Sequence, residues 1–204
     1  MYTPEIYKNE NSEEINKFLQ ENSFGILINQ SNGKLCATHI PLELDVNKEG
    51  EDILYGHISK ENPQWKGFTD NDQVLAVFSG PHSYISSSWY DHENVPTWNY
   101  IAVHVYGKIK IIEGEGVVES LKKLVDKYEQ NSEKPIRIED LAQKTMLQSR
   151  GIVAFEIKIT EIQATRKMSQ NRDAKNYQTI ITELEKINTD QSIATAKEMK
   201  KCPI

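Results

Sequence analysis

Between Asn99 and Ile111 the side chains separate into two alternating sets, with Ile101, Val103, Val105, Ile109 and Ile111 on one side and Tyr100, Ala102, His104 and Tyr106 on the other. A period of two belongs to extended chain, whose successive Cβ atoms point to opposite faces, so this segment is a long strand with one face in a core. A strand cannot satisfy its own backbone and needs neighbours. Residues 24–28 and 35–44 read as two of them, joined by a hairpin turn at Ser31-Asn32-Gly33-Lys34. Residues 53–58, 73–78 and 152–159 read as three more, the last with Val153, Phe155, Ile157 and Ile159 facing the core. Pro41 donates nothing to a ladder, which predicts an edge, bulge or bend there. Residues 79–97, rich in Gly, Pro, Ser, His and aromatics, read as a long ordered loop with at most one short strand.

Helical spacing fills the gaps. Ser12 is placed to cap a helix through Glu21 that carries Ile15, Phe18 and Leu19 on one face. Asn62 and Pro63 mark the cap and first turn of a brief helix. Val117, Val118, Leu121, Leu124, Val125 and Tyr128 form an apolar stripe, and residues 138–147 form a second helical segment. Tyr177, Ile180, Ile181, Leu184 and Ile187 line one face of a helix over 173–187, and Thr189 or Asp190 opens another that ends before Pro203. Six or seven strands with helices inserted between them predict a mainly β, α+β fold, an antiparallel barrel and not a βαβ array. The expected organisation is one barrel domain over 1–172 with a helical extension, 173–204, packed on it without a flexible linker.

Composition narrows the function classes. In 204 residues no apolar run reaches membrane-spanning length, and Met1-Tyr2-Thr3-Pro4-Glu5 lacks the basic and apolar regions of a secretory leader. Cys36 and Cys202 have no metal-type spacing and fit a reducing compartment, so the expected location is the cytoplasm. The net charge is −6 and the 24 Lys and Arg are scattered, which removes the basic footprint of strong nucleic-acid binding and leaves only a local patch for DNA. The five histidines show no i, i+4 pair, and no metal site is expected. Neither a glycine-rich dinucleotide loop, a Walker loop nor a nucleophile elbow is present.

Four polar clusters remain: Thr38-His39-Ile40-Pro41, Gly56-His57-Ile58-Ser59-Lys60, Pro96-Thr97-Trp98-Asn99-Tyr100 and Arg166-Lys167-Met168-Ser169-Gln170-Asn171-Arg172. A phosphate needs charge-assisted donors and hydroxyls together, which Ser59 with Lys60, or Lys167 with Ser169 and Arg172, supply. A flat heteroaromatic ring needs amides and a stacking surface, which Thr38, Gln170, Asn171 and Trp98 supply. Each cluster also has a plainer reading. A Ser-Lys pair is commonly a solvated helix start, the run from Lys167 to Arg172 a polar turn, and Trp98 and Tyr100 core or interface aromatics. On residues alone the reading stops at an antiparallel barrel with a polar pocket.

At these clusters the chain resembles the PaiB-like FMN-binding negative transcriptional regulators, within the pyridoxamine-phosphate-oxidase-like split barrels. The matching runs are Ala37-Thr38-His39-Ile40-Pro41-Leu42, Tyr55-Gly56-His57, Asn62-Pro63-Gln64-Trp65, residues 78–86, Val95-Pro96-Thr97-Trp98-Asn99-Tyr100 and Lys167-Met168-Ser169-Gln170-Asn171-Arg172. The resemblance implies a homodimer with FMN at the subunit interface. It implies phosphate contacts from Ser59 and Lys60, a flavin-side strand at Thr38, His39, Ile40 and Pro41, and a cofactor-binding set completed by His57, Trp98, Asn99, Lys167, Ser169, Gln170, Asn171 and Arg172. Thr38 and His39 replace two basic residues of the oxidase pattern, which implies a weaker hold on FMN or an empty site. The function implied is negative regulation of transcription. The rival readings are an FMN-dependent oxidoreductase, with His57, His104 or Tyr100 as proton donors, and a haem-binding split barrel.

Overall fold

The computed structural model describes residues 1–31, 33–69 and 72–202. In chain order its elements are β1 (Lys8–Asn9), α1 (Ser12–Glu21), β2 (Phe24–Ser31), β3 (Lys34–Pro41), β4 (Glu43–Val46), β5 (Asp52–Ser59), β6 (Gln73–Ile85), β7 (Thr97–Ile112), α2 (Glu115–Glu129), α3 (Gln143–Met146), β8 (Ile152–Lys167), α4 (Ala174–Ile187) and α5 (Asp190–Lys200). The strands form one eight-stranded sheet in the order β3-β2-β6-β7-β8-β5-β4, with β1 paired to β8. The β2–β3, β4–β5 and β5–β8 ladders are antiparallel, and β3 and β4 end the path as edges.

The expected α+β antiparallel fold is the observed one, with local differences. The run over 35–44 is broken, because Pro41 cannot continue the ladder and the next amide, Leu42 N, donates to Ser23 O at 2.8 Å. Ser31 pairs with Lys34 across the hairpin, while Asn32 of its expected turn lies outside the described residues. Much of the expected loop after Phe78 is strand, since β6 runs on to Ile85, its burial alternating as far as Gly80 and resuming one residue out of step at Ser83. Tertiary contact explains this: a Cβ on Gly80 would lie 2.7 Å from the Phe18 ring, and the buried Ser83 hydroxyl pairs with Thr195 Oγ1 at 3.0 Å. Small residues that read as loop formers are there to let other elements approach.

Helix starts follow local chemistry. Asn11, not Ser12, caps α1, its Oδ1 accepting from the amides of Glu13 at 3.1 Å and Glu14 at 3.2 Å. Asn62 caps a 3-10 turn over Pro63–Gly67, Asp173 caps α4, and Thr189 with Ser192 forms a reciprocal capping box at α5. The expected helix over 138–147 is three short turns, and β8 continues past Ile159 to Lys167. Ile159 is half-buried and Ile187 is 51% exposed, so neither belongs to the core expected of it.

Chain contacts divide the molecule into two compact units. The first comprises Met1–Phe18, Phe78–His104 and Gln163–Ile204. Its core gathers Ile85, Tyr90, Ile101, Met168 and the buried stripe Tyr177, Ile180, Ile181 and Leu184 of α4, with Met199 from α5. The Tyr177 hydroxyl donates to Met199 O at 2.7 Å, and burial pushes its pKa up to about 12. The second unit comprises Leu19–Val77 and Val105–Ile162. Leu27, Leu42, Leu54, Phe155 and Ile157 are fully buried there, and Phe68 meets Phe155 edge-on at 5.5 Å. Glu43, 3% exposed, is held by Lys127 and by the Tyr128 hydroxyl at 2.8 Å, which fastens α2 over β4. A buried carboxylate is tolerable only when paired in this way.

Candidate functional site

The expected site residues fall into two groups, one in each unit. In the second unit, Thr38, His39, Ile40 and Pro41 close the edge strand β3, and His57, Ser59 and Lys60 end β5. The Thr38 hydroxyl is fully engaged within the protein, donating to Gln64 Oε1 and accepting from Asn62 Nδ2 at 2.8 Å. Gln64, 3% exposed, also donates to Leu27 O at 3.0 Å, so its amide locks the 3-10 turn onto the β2–β3 hairpin. Ile40 is buried and His39 is exposed, its ring stacked 6.4 Å from Phe24. What β3 offers a ligand is therefore its backbone on the free edge, together with His39. Gly56 allows the close approach, since a Cβ there would lie 2.8 Å from Pro41 O. His57 is half-buried, and burial lowers its pKa.

Ser59 and Lys60 lie at a fixed point. Ser59 pairs with Ile152 across the β5–β8 ladder, Lys60 N donates to Gly151 O at 2.8 Å, and Lys60 O accepts from Trp65 Nε1 at 2.9 Å. This brings Lys60 beside Ser149 and Arg150 around a cleft of about 430 Å³, whose apolar lining includes Trp65, Ile112, Val117 and Ile152. That volume is in the range of small-molecule sites, about 300–1,000 Å³. Glu113 is the acidic residue of the lining, and among the described residues neither Lys60 nor Arg150 is ion-paired. Ser149 and Arg150 were not foreseen from sequence. The only local signal was a Ser-Arg-Gly step before a strand, which names no partner.

In the first unit the structure brings Thr97, Asn99, Lys167, Ser169, Gln170 and Arg172 together. Asn99 and Ser169 are sealed in the interior, joined by a hydrogen bond of 2.9 Å from Ser169 Oγ to Asn99 Oδ1. Gln170 ties its own loop, accepting from Met168 N at 2.7 Å and donating to Arg166 O at 2.7 Å. These three side chains build the loop instead of facing solvent. Lys167 Nζ donates to Thr97 Oγ1 and lies 5.7 Å from the centre of the Tyr7 ring. Arg172 lies over the Tyr90 ring at 5.0 Å, and Asn171 is exposed. Trp98 is 53% exposed and packs against His82 and Tyr84, an aromatic surface patch set on the opposite face of β7 from Asn99.

Among the described residues no His, Cys, Asp and Glu group is arranged to hold a metal, and no helix is long and apolar enough to cross a membrane. Against known families, residues 1–161 match a family model described as "Putative FMN-binding domain". The chain belongs to this family. A PaiB-type member, the protease synthase and sporulation protein PAI 2 of Bacillus subtilis, is 46% identical over 187 residues, covering 91% of this chain and 89% of that protein. Solved structures share the fold. An FAD- and haem-binding protein from Mycobacterium smegmatis superposes with a TM-score of 0.62 at 15% identity, covering 84% of this chain and 78% of that one. The flavocytochrome Anf3 from Azotobacter vinelandii gives 0.61 at 18% identity, covering 85% and 75%. The architecture of this family member, an antiparallel sheet with C-terminal helices, is thus one it shares with these solved structures.

Proposed function

We propose that the protein is an FMN-binding homodimer that regulates transcription negatively, in the manner of the PaiB-type relatives it resembles. The observation that carries the flavin reading is that Lys60 and Arg150, which form no ion pair among the described residues, stand together at the rim of an apolar cleft beside exposed Ser59. Two cations with hydroxyls suit a phosphate, and Trp65 with the free edge of β3 suits a flat ring bearing polar edges. The donor set therefore fits FMN. Bound flavin would supply a redox-active ring whose state a regulator can report.

A second copy is the occupant that best fits the outer face of β2, β3 and β6. Phe24, Ile26, Ile28, Leu35, Leu75 and Val77 all lie there, half-buried or exposed. Antiparallel sheets usually present polar residues to solvent, whereas this face is apolar in register across neighbouring strands. Both cysteines are free thiols, in keeping with a cytoplasmic protein. A net charge of −6 favours repression through a partner or a local patch over broad contact with DNA.

Titration with FMN and riboflavin, followed by flavin fluorescence, tests the reading. FMN should bind more tightly than riboflavin. Lys60→Gln or Arg150→Gln should weaken FMN by about tenfold or more while leaving riboflavin unchanged, as loss of a charge-assisted contact requires. Equal affinity for the two flavins in the wild type would remove the phosphate assignment.

A further inference from the structure

The loop that ends β8 presents two cations, Lys167 and Arg172, that no carboxylate among the described residues pairs. Among the described residues neither Lys167 nor Arg172 forms an ion pair; each rests on an aromatic face, Lys167 on Tyr7 at 5.7 Å and Arg172 on Tyr90 at 5.0 Å. The nearby carboxylate Asp91 is already held by Lys175 at 2.7 Å and by Asn176. In a chain with 30 acidic residues and 24 basic ones, two neighbouring cations that form no ion pair among the described residues, with Asp91 and Asp173 engaged by Lys175 and Asn176 instead, are a selective arrangement.

The loop is also built to be rigid. Ser169 adopts φ 60°, a left-handed conformation that a serine enters at a cost, and is pinned there by buried Asn99. Arg172 N donates to Ser169 O at 3.0 Å, and Gln170 clasps the loop from both sides. Two polar atoms at the Arg172 stack are left over: the hydroxyl of Tyr90, a residue 8% exposed, and Nε of Arg172 have no hydrogen-bond partner among the described residues. Unpartnered buried donors are rare because each forfeits its bonds to water, and an arriving acceptor would recover them.

We propose that Lys167 and Arg172 form a second anion site that takes the phosphate group of a small effector distinct from the flavin. Phosphate is the class the charges select, because a phosphate monoester carries close to two negative charges at neutral pH and a carboxylate only one. Burial and the charge of Arg172 both depress the pKa of Lys167, the condition that a bound dianion would relieve. The assignment goes beyond the flavin reading and is independent of it.

Calorimetric titration of the full chain with inorganic phosphate, at constant ionic strength and with FMN saturating, tests the site. Saturable binding is expected, weakened by about tenfold or more in Lys167→Gln and Arg172→Gln. It should be partly kept in Arg172→Lys, and unchanged in Lys144→Gln, an exposed charge elsewhere. No saturable binding, tighter binding of acetate than of phosphate, or an Arg172→Gln variant indistinguishable from Lys144→Gln would overturn the proposal. FMN and riboflavin affinities of Arg172→Gln separate the two sites. An unchanged FMN affinity supports a second ligand, whereas loss of FMN with riboflavin unaffected would make the anion the flavin's own phosphate and overturn it. Wild-type protein that binds phosphate but not FMN would refute the flavin reading and leave this site standing.

Discussion

Ser169 donates its hydroxyl proton to Asn99 Oδ1 at 2.9 Å, with the two residues 2% and 0% exposed. The bond joins the end of β8 to the start of β7 and holds Ser169 at φ 60°, so the loop bearing Lys167 and Arg172 owes its shape to a buried pair. Ser169→Ala should destabilise the fold by about 1–3 kcal/mol, since it leaves an amide oxygen buried without a donor. Ser169→Gly should cost about 1 kcal/mol less, because glycine enters the left-handed region freely. Urea unfolding of the two variants checks this; equal losses would mean that the backbone conformation stores no strain.

Thr38 is engaged internally by Gln64 and Asn62. Thr38→Val should therefore cost stability, about 1–3 kcal/mol from the stranded amides. Its effect on FMN affinity should be smaller than that of Lys60→Gln. Flavin titration beside a denaturation curve decides the matter, and a larger flavin effect from Thr38→Val would show that the hydroxyl serves the ligand.

His57 has its pKa lowered by burial, so the native state resists protonation there while the unfolded chain does not. The unfolded state then binds more protons over the window between the depressed native value and about 6.5, and stability rises with pH across it. Lowering the pH from neutrality should cost stability once it falls through about 6.5, with the loss complete below the native value. His57→Gln should flatten that part of the profile, leaving the share due to His104, which burial also lowers. Denaturation midpoints measured from pH 5 to 8 on the order of the usual His range provide the check.

Leu35 is 79% exposed on the apolar outer face of β3. If a second copy covers that face, Leu35→Glu should yield a monomer by light scattering with the fold intact. A wild-type protein that is already monomeric at micromolar concentration would dismiss the assembly.

Much of this molecule is written in short stretches of sequence. The period-two run of β7 gave a strand because adjacent Cβ atoms in extended chain must diverge, and Asn62 and Thr189 announced helix starts because a cap needs only the next three amides. Those signals are local, so they survive without knowledge of the fold. Gly80 and Ser83 misled for the complementary reason: their smallness answers to Phe18 and Thr195, residues remote in sequence. The identities of Lys60, Lys167 and Arg172 as candidate anion holders were legible, since charge is a property of the residue itself. That Lys60 meets Arg150 was not, because the meeting depends on the register that pairs Ser59 with Ile152. Sheet register is settled by burial summed over whole strands, and only the folded chain performs that sum.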